Sequence, residues 1–234
     1  MSRLIVLAAF VLVACGAPQP TPVPRTAEQI QQPDFAALEA AYGARLGVYA
    51  VDTGSGREVT YHSEDRFAYA STHKVLTAGL VLRKTALDGL DRRITYSRTD
   101  VVANSPVTGK HVATGMTLRE VMDAALRYSD NTAANLMFAE LGGPAAVGTA
   151  LRDLGDTTIH VDRTETALNE TNPGDLRDTT TPHAMALSVR GFTLGSLLPQ
   201  EKRTLLTDMM RANTTGGELI RAGVPTDWQV ADKT

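Results

Sequence analysis

Ser71-Thr72-His73-Lys74-Val75-Leu76-Thr77-Ala78-Gly79-Leu80-Val81-Leu82 is a run of small and apolar residues opened by a hydroxyl and an ammonium. Apolar residues fall on every side of the 3.6-residue repeat, so the stretch over 71–87 predicts a helix buried on most of its faces. Ser71 and Lys74 are three apart and share one helix face, so the ammonium can reach the hydroxyl. The N-terminus of a helix offers free N–H groups and the positive end of a dipole, which suits developing negative charge. A serine alone is a poor nucleophile and needs an adjacent base. One S-x-x-K in a chain of 234 residues is also what chance supplies, so the reading has to be built outward from it.

The flanking pattern predicts mixed structure. Phe35, Leu38 and Tyr42 recur at spacings of three and four, giving a helix over 34–43 that ends on a glycine. Segments 45–52 and 57–62 alternate around Thr53-Gly54-Ser55-Gly56, the pattern of a hairpin. Thr117-Leu118-Arg119-Glu120 is a capping box opening a helix with Leu118, Val121, Met122, Ala125 and Leu126 inward. Further helices are expected over 132–141, 144–154, 182–189 and 199–212, and a returning strand over 228–234. Hairpin, many helices and a strand amount to an α+β fold: an antiparallel sheet flanked by helices, plus an all-helical lobe.

Composition closes off other classes. Apolar residues are 43% of the chain, enough for a sizeable core. A net charge of −3 leaves no basic face for nucleic acid. Cys15 is the single cysteine, so an intrachain disulfide and a thiolate zinc cluster are out. The histidines show no H-E-x-x-H spacing, so no metal and no cofactor are expected.

The N-terminus reads as an address. A short basic start precedes an apolar run over 4–14, too short to span a bilayer. It ends Leu12-Val13-Ala14-Cys15-Gly16, which resembles a bacterial lipobox. That implies a signal over 1–14, a lipid on Cys15, and export to a membrane-anchored position facing the periplasm or the cell exterior. An ordinary signal peptide with a chance cysteine is the simpler alternative. Pro18, Pro20, Pro22 and Pro24 alternate, so 15–33 is expected to be an extended tether, with one folded domain over 34–234.

Two more tripeptides carry chemistry. Ser129-Asp130-Asn131 lies where two helices should meet, and either Ser129 or Asp130 could simply cap the second. Asp232-Lys233-Thr234 ends the strand-like run and could bind a carboxylate, or merely solvate an edge. In order and spacing, the three elements match S-x-x-K, S-D-N and K-T of the class A β-lactamases and penicillin-binding proteins. Arg163-Thr164-Glu165-Thr166-Ala167-Leu168-Asn169 is similar to the R-x-E-x-x-L-N segment of class A. Arg177 to Pro182, Ser105-Pro106-Val107-Thr108, Asn213-Thr214-Thr215-Gly216 and Ile220-Arg221-Ala222-Gly223 fit as well. The chain thus resembles a class A serine β-lactamase from about Arg45 to Thr234.

That resemblance implies an enzyme opening the β-lactam amide of a small molecule through a serine acyl-enzyme, and so antibiotic resistance; a monomer is the default expectation. Ser71 is implied as nucleophile, Lys74 as its proton partner, and Ser129 as relay to the departing nitrogen. Glu165 and Asn169 are implied to hold the hydrolytic water. Asn131 is implied to contact the substrate's acylamide, and Lys233 and Thr234 its carboxylate. Arg163 and Asp178 are implied to close an Ω-loop, although a surface pair of little worth is the plainer reading. Departures from common members are Asn104 in place of an aromatic cleft wall, Thr166 in place of a proline often preceded by a cis peptide, Ala70 for a cysteine and Asp227 for a glycine. The family pattern continues past K-T with a glycine, more strands and a helix, so the chain is expected to be a fragment lacking one oxyanion donor. A D,D-peptidase or esterase, and an inert lipoprotein of the same fold, are the alternatives. A penicillin-binding peptidase is not expected to have the glutamate at Glu165, and the intact motifs argue against an inert lipoprotein.

Overall fold

The structure, a computed structural model, describes residues 34–234. The signal, Cys15 and tether expected over 1–33 lie outside the described residues.

The predicted central helix is the hub. A 3-10 turn over Ala70–Thr72 leads into α2 (His73–Lys84), and every residue from His73 to Leu82 is buried. Around it pack α3 (Leu118–Arg127), α4 (Asn131–Leu141), α5 (Pro144–Asp153), α6 (Pro182–Thr193) and α7 (Gln200–Arg211). The capping box starts α3 as expected: Thr117 N–H donates to Glu120 at 2.7 Å, and Glu120 N–H donates to the Thr117 hydroxyl at 3.2 Å. Leu118, Val121, Met122, Ala124, Ala125 and Leu126 then face the core.

Helix α6 runs one turn past its predicted end at Val189, because Phe192 is wholly buried against α2. The approach is possible only at Gly79, where a Cβ would stand 2.6 Å from the Phe192 ring.

The strands are short and paired locally. β1 (Val48–Val51) and β2 (Glu58–Tyr61) form the expected antiparallel hairpin, Val48 opposite Tyr61. The first helix, α1 (Phe35–Tyr42), sits beside it, capped by Asp34 and ended by Gly43 in the left-handed region. Phe35 meets the Tyr61 ring at 5.3 Å, whereas Leu38 and Tyr42 on the same face stay exposed. β3 (Phe67–Ala68) pairs with β6 (Thr179–Thr180), and β4 (Arg93–Ile94) with β5 (Met116–Thr117). The β3–β6 ladder matters most for the site, because it brings the chain around residue 178 beside Tyr69 and the nucleophile.

One expectation needs correction. Residues 228–234 form no strand. A strand is defined by ladder hydrogen bonds, and none of the described residues pairs with this run. Side-chain bonds fix it instead. Arg221 donates to Asp232, with Nε at 2.8 Å, and Asn213 Nδ2 donates to Asp232 at 3.2 Å. A one-turn helix, α8 (Ile220–Gly223), carries Arg221.

Candidate active site

The predicted catalytic residues meet around one buried ammonium. Lys74 is fully buried, and its Nζ donates to Ser71 Oγ at 2.8 Å, to the Ser129 carbonyl at 3.0 Å and to Asn131 Oδ1 at 2.7 Å. Glu165 Oε1 lies 3.0 Å away. The helix explains the first contact: Ser71 and Lys74 stand one turn apart where α2 begins, with Ser71 half-buried and Lys74 beneath it.

The Ser129-Asp130-Asn131 corner joins α3 to α4. Ser129 takes a left-handed φ of 55°. Asp130 caps α4 through Ala133 N–H at 2.9 Å, and it also accepts from Val107 N–H, Thr108 N–H and the Thr108 hydroxyl. The cap reading of Asp130 is thus what the structure has, and the same carboxylate ties down the loop carrying Ser105-Pro106-Val107-Thr108. Asn104, on that loop, is exposed with φ 57°; its carbonyl accepts from Asn131 N–H at 3.0 Å, and its Nδ2 approaches the Ser129 carbonyl at 3.4 Å. Asn131 uses both ends internally, Oδ1 on Lys74 and Nδ2 on the Ala103 carbonyl at 3.0 Å.

On the far side of Lys74 stands Glu165, 4% exposed. Asn169 Nδ2 donates to its Oε2 at 2.8 Å. Asn135 clamps its backbone from α4, accepting from Glu165 N–H and donating to the Glu165 carbonyl, both at 2.8 Å. The Glu165–Thr166 peptide is cis. Burial pushes the carboxyl up, but the hydrogen bonds from His73 and Lys74 and the charge on Lys74 outweigh it and hold Glu165 at about 2. Burial pulls Lys74 down, against the attraction of Glu165. The result is an ionised carboxylate facing a lysine nitrogen that also bonds a serine hydroxyl. Such an arrangement can pass a proton between serine and carboxylate and can hold a water between Glu165 and Asn169.

Arg163 and Asp178 do not form a surface pair. The Asp178 side chain is fully buried, and Arg163 is 16% exposed. Asp178 Oδ1 accepts from Tyr69 Oη at 2.9 Å, Asp162 N–H at 2.9 Å and Arg163 N–H at 3.1 Å; Oδ2 accepts from Arg163 Nε at 2.5 Å. Glu165 and Asn169 lie on the loop that this knot closes.

Lys233 completes the ring, its Nζ donating to Ser129 Oγ at 2.9 Å. Burial, then the neighbouring Lys74 cation, lowers Lys233 to about 7. Thr234 bonds the Thr215 hydroxyl at 2.5 Å, which places the 213–216 segment behind it.

Sequence reasoning missed Asn135 and His73. Asn135 is four residues past Asn131 on the same helix face, a spacing that could have marked it. His73 lay inside the quoted motif but was read only as a spacer.

The comparisons agree with one another. A model of the "Beta-lactamase enzyme family" matches residues 30–234. The chain is 55% identical over 200 residues to β-lactamase 3 of Bacillus cereus, covering 86% of this chain and 63% of that protein. Among solved structures, a halotolerant bacterial β-lactamase superposes with a TM-score of 0.84 at 52% identity, covering 86% of this chain and 77% of that one. The class A β-lactamase from Clostridium kluyveri does so with a TM-score of 0.84 at 47% identity, covering 85% and 76%. The chain therefore spans a little under two thirds of the Bacillus cereus protein's length.

Proposed function

The chain belongs to the β-lactamase enzyme family, among the class A serine β-lactamases, and from that premise we propose that it hydrolyses the β-lactam amide of penicillin- or cephalosporin-type antibiotics through an acyl-enzyme on Ser71. The observation carrying this reading is the single cluster in which Lys74 Nζ touches Ser71 Oγ, the Ser129 carbonyl and Glu165, with Asn169 on the carboxylate's other oxygen.

The proposed steps use the contacts of this cluster and, for the substrate-binding groups, the roles the family resemblance implies. Ser71 Oγ adds to the lactam carbonyl carbon as its proton moves into the Lys74–Glu165 pair. The C–N bond breaks, and the nitrogen takes a proton through Ser129, which stands between Lys74 and Lys233. Lys233 and Thr234 pair with the substrate carboxylate. Asn131 Nδ2, which donates one hydrogen to the Ala103 carbonyl, has its second for the acylamide carbonyl. Glu165 then removes a proton from a water shared with Asn169, the hydroxide attacks the ester, and Ser71 leaves with a proton. A site with serine and lysine alone stops at the ester; Glu165 is what makes turnover possible. Export, a lipid on Cys15 and action as a monomer complete the proposal.

A chromogenic cephalosporin tests it in the full-length protein. Wild type turns over, Ser71→Ala does not react, and Glu165→Gln releases one equivalent in a burst and then stalls, with deacylation down about 100-fold or more. A wild type that acylates without turning over would point to a D,D-peptidase or esterase, and one that never acylates would end the enzymatic reading. Loss of membrane association in Cys15→Ala tests the anchor.

A further inference from the structure

His73 makes contacts that the steps above do not use. Its ring is 2% exposed and stacks on Phe138, centroids 5.1 Å apart and planes 12° off parallel. The Tyr69 ring lies 5.5 Å away. Nδ1 is 3.2 Å from Thr77 Oγ1, and Nε2 is 3.5 Å from Glu165 Oε1. Burial, only partly opposed by Glu165, holds the imidazole below its usual range, so the ring is neutral.

A neutral imidazole has one N–H and one lone pair. A lone pair on Nε2 would face the ionised Glu165 oxygen and be repelled, whereas an N–H there is attracted. The proton therefore belongs on Nε2. Nδ1 is left as an acceptor, and Thr77 can supply the donor, its hydroxyl choosing between Nδ1 and the His73 carbonyl at 3.1 Å.

We propose that His73 is a positioning residue for Glu165, donating its Nε2–H to Oε1 and so holding the carboxylate ionised and oriented whatever the charge on Lys74. The proposal rests on reading Glu165 as the deacylating base. Lys74 and His73 face this carboxylate from α2 and Asn169 from the loop, while Asn135 on α4 grips its backbone. Lys233 contributes at longer range to His73, and Asp130 to Lys74. Of the donors on the carboxylate itself, only Lys74 changes charge when a proton moves through the Ser71–Lys74 pair. The long hydrogen bond from His73 outlasts that change, and the Phe138 stack fixes the plane from which it is made.

Two measurements on the full-length protein test this. In ¹⁵N-histidine spectra, the resonance absent from His73→Phe identifies His73. It should show a neutral ring protonated at Nε2; a ring protonated at Nδ1 would overturn the proposal. This readout needs no turnover, so it separates a failure here from a failure of the hydrolase reading. In kinetics, His73→Phe keeps the ring stack and loses the donor, so the acid limb of the deacylation rate should move up by about half a pH unit or more. His73→Gln restores an N–H toward Glu165 and should bring the limb back. A folded His73→Phe with an unmoved limb, or two variants shifted alike, refutes the role. If His73→Phe does not fold, the His73→Gln limb and the tautomer, assigned through that variant, decide between the same two outcomes.

Discussion

Asp178→Asn is the sharpest probe of how this fold holds its base. The wild-type carboxylate is fully buried and accepts four donors, three on Oδ1 and one on Oδ2. No orientation of an asparagine satisfies them all. The better one keeps the amide oxygen on Tyr69, Asp162 and Arg163 N–H and sets its NH2 against Arg163 Nε–H, donor against donor. A charge-assisted bond is lost, about 1.5–3 kcal/mol, and breaking a buried pair costs about 3–5 kcal/mol. Arg163 keeps a second anchor, Nη2 on the Glu170 carbonyl at 2.8 Å, which places the expected loss at about 2–3 kcal/mol. Urea unfolding at pH 7 should show that loss as a lower midpoint with an unchanged slope. Glu165 is two residues from Arg163, so the loosened loop should slow deacylation more than acylation, read as a larger burst. The pH dependence has a definite sign. Burial pushes Asp178 up, but the Asp162 and Arg163 donors and Tyr69 push it further down, so its folded value lies below its unfolded one. Its contribution is complete above the unfolded value, about 3.9, and is lost as pH falls through the folded one. The gap between wild type and variant should therefore narrow below about pH 4. A folded variant within about 0.5 kcal/mol of wild type at pH 7 would refute the reasoning, as would an unchanged burst.

Three other outcomes are expected. Lys233 loses its proton near 7 in the free protein, so KM for a carboxylate-bearing β-lactam should rise as pH climbs through 7 while kcat changes less; a flat KM from pH 6 to 9 would remove Lys233 from the carboxylate site. Asn135→Ala deletes both bonds on the Glu165 backbone, so kcat should fall about tenfold or more with KM little changed, measured beside Glu165→Gln. Gly79→Ala drives a methyl against the Phe192 ring and should cost about 1–3 kcal/mol in urea unfolding; Phe192→Leu in the same chain should return part of it.

The helices were legible because their signals are local. The Thr117–Glu120 box, the glycine after Tyr42 and the apolar repeats set α1 to α5 within a turn of their true ends. The motif residues were legible one by one through resemblance, and the structure brings Ser71, Lys74, Ser129, Glu165, Asn169 and Lys233 into one hydrogen-bonded group. What periodicity could not supply is long-range. The Tyr69–Asp178 bond joins residues 109 apart, and the β3–β6 ladder that makes it possible is two residues long, below any pattern signal. The run over 228–234 failed for the converse reason: it alternates like a strand, but a ladder needs a neighbour, and alternation does not report one.

The backbone shows why this site demands so much support. Among the described residues, five other than glycine have positive φ, and four adjoin or belong to the cluster: Ala70, Asn104, Ser129 and Asp178. Each such residue costs about 1–3 kcal/mol and persists only where its surroundings over-determine it. The determinants can be named. The Tyr69 N–H bonds the Asp178 carbonyl just before Ala70, Lys74 holds the Ser129 carbonyl, the Asn131 N–H holds that of Asn104, and four donors converge on the Asp178 side chain. Those tethers come from α2, α4 and the loop over 162–178, so no single segment could have set the site by local preference. The helical core acts as the frame against which these four strained corners are held, and the distances around Lys74 are what that frame fixes. Glu165 comes from the loop over 162–178, Ser71 and Lys74 from the start of α2, Ser129 from the corner between α3 and α4, and Lys233 from the run over 228–234, and their sharing one space depends on all four.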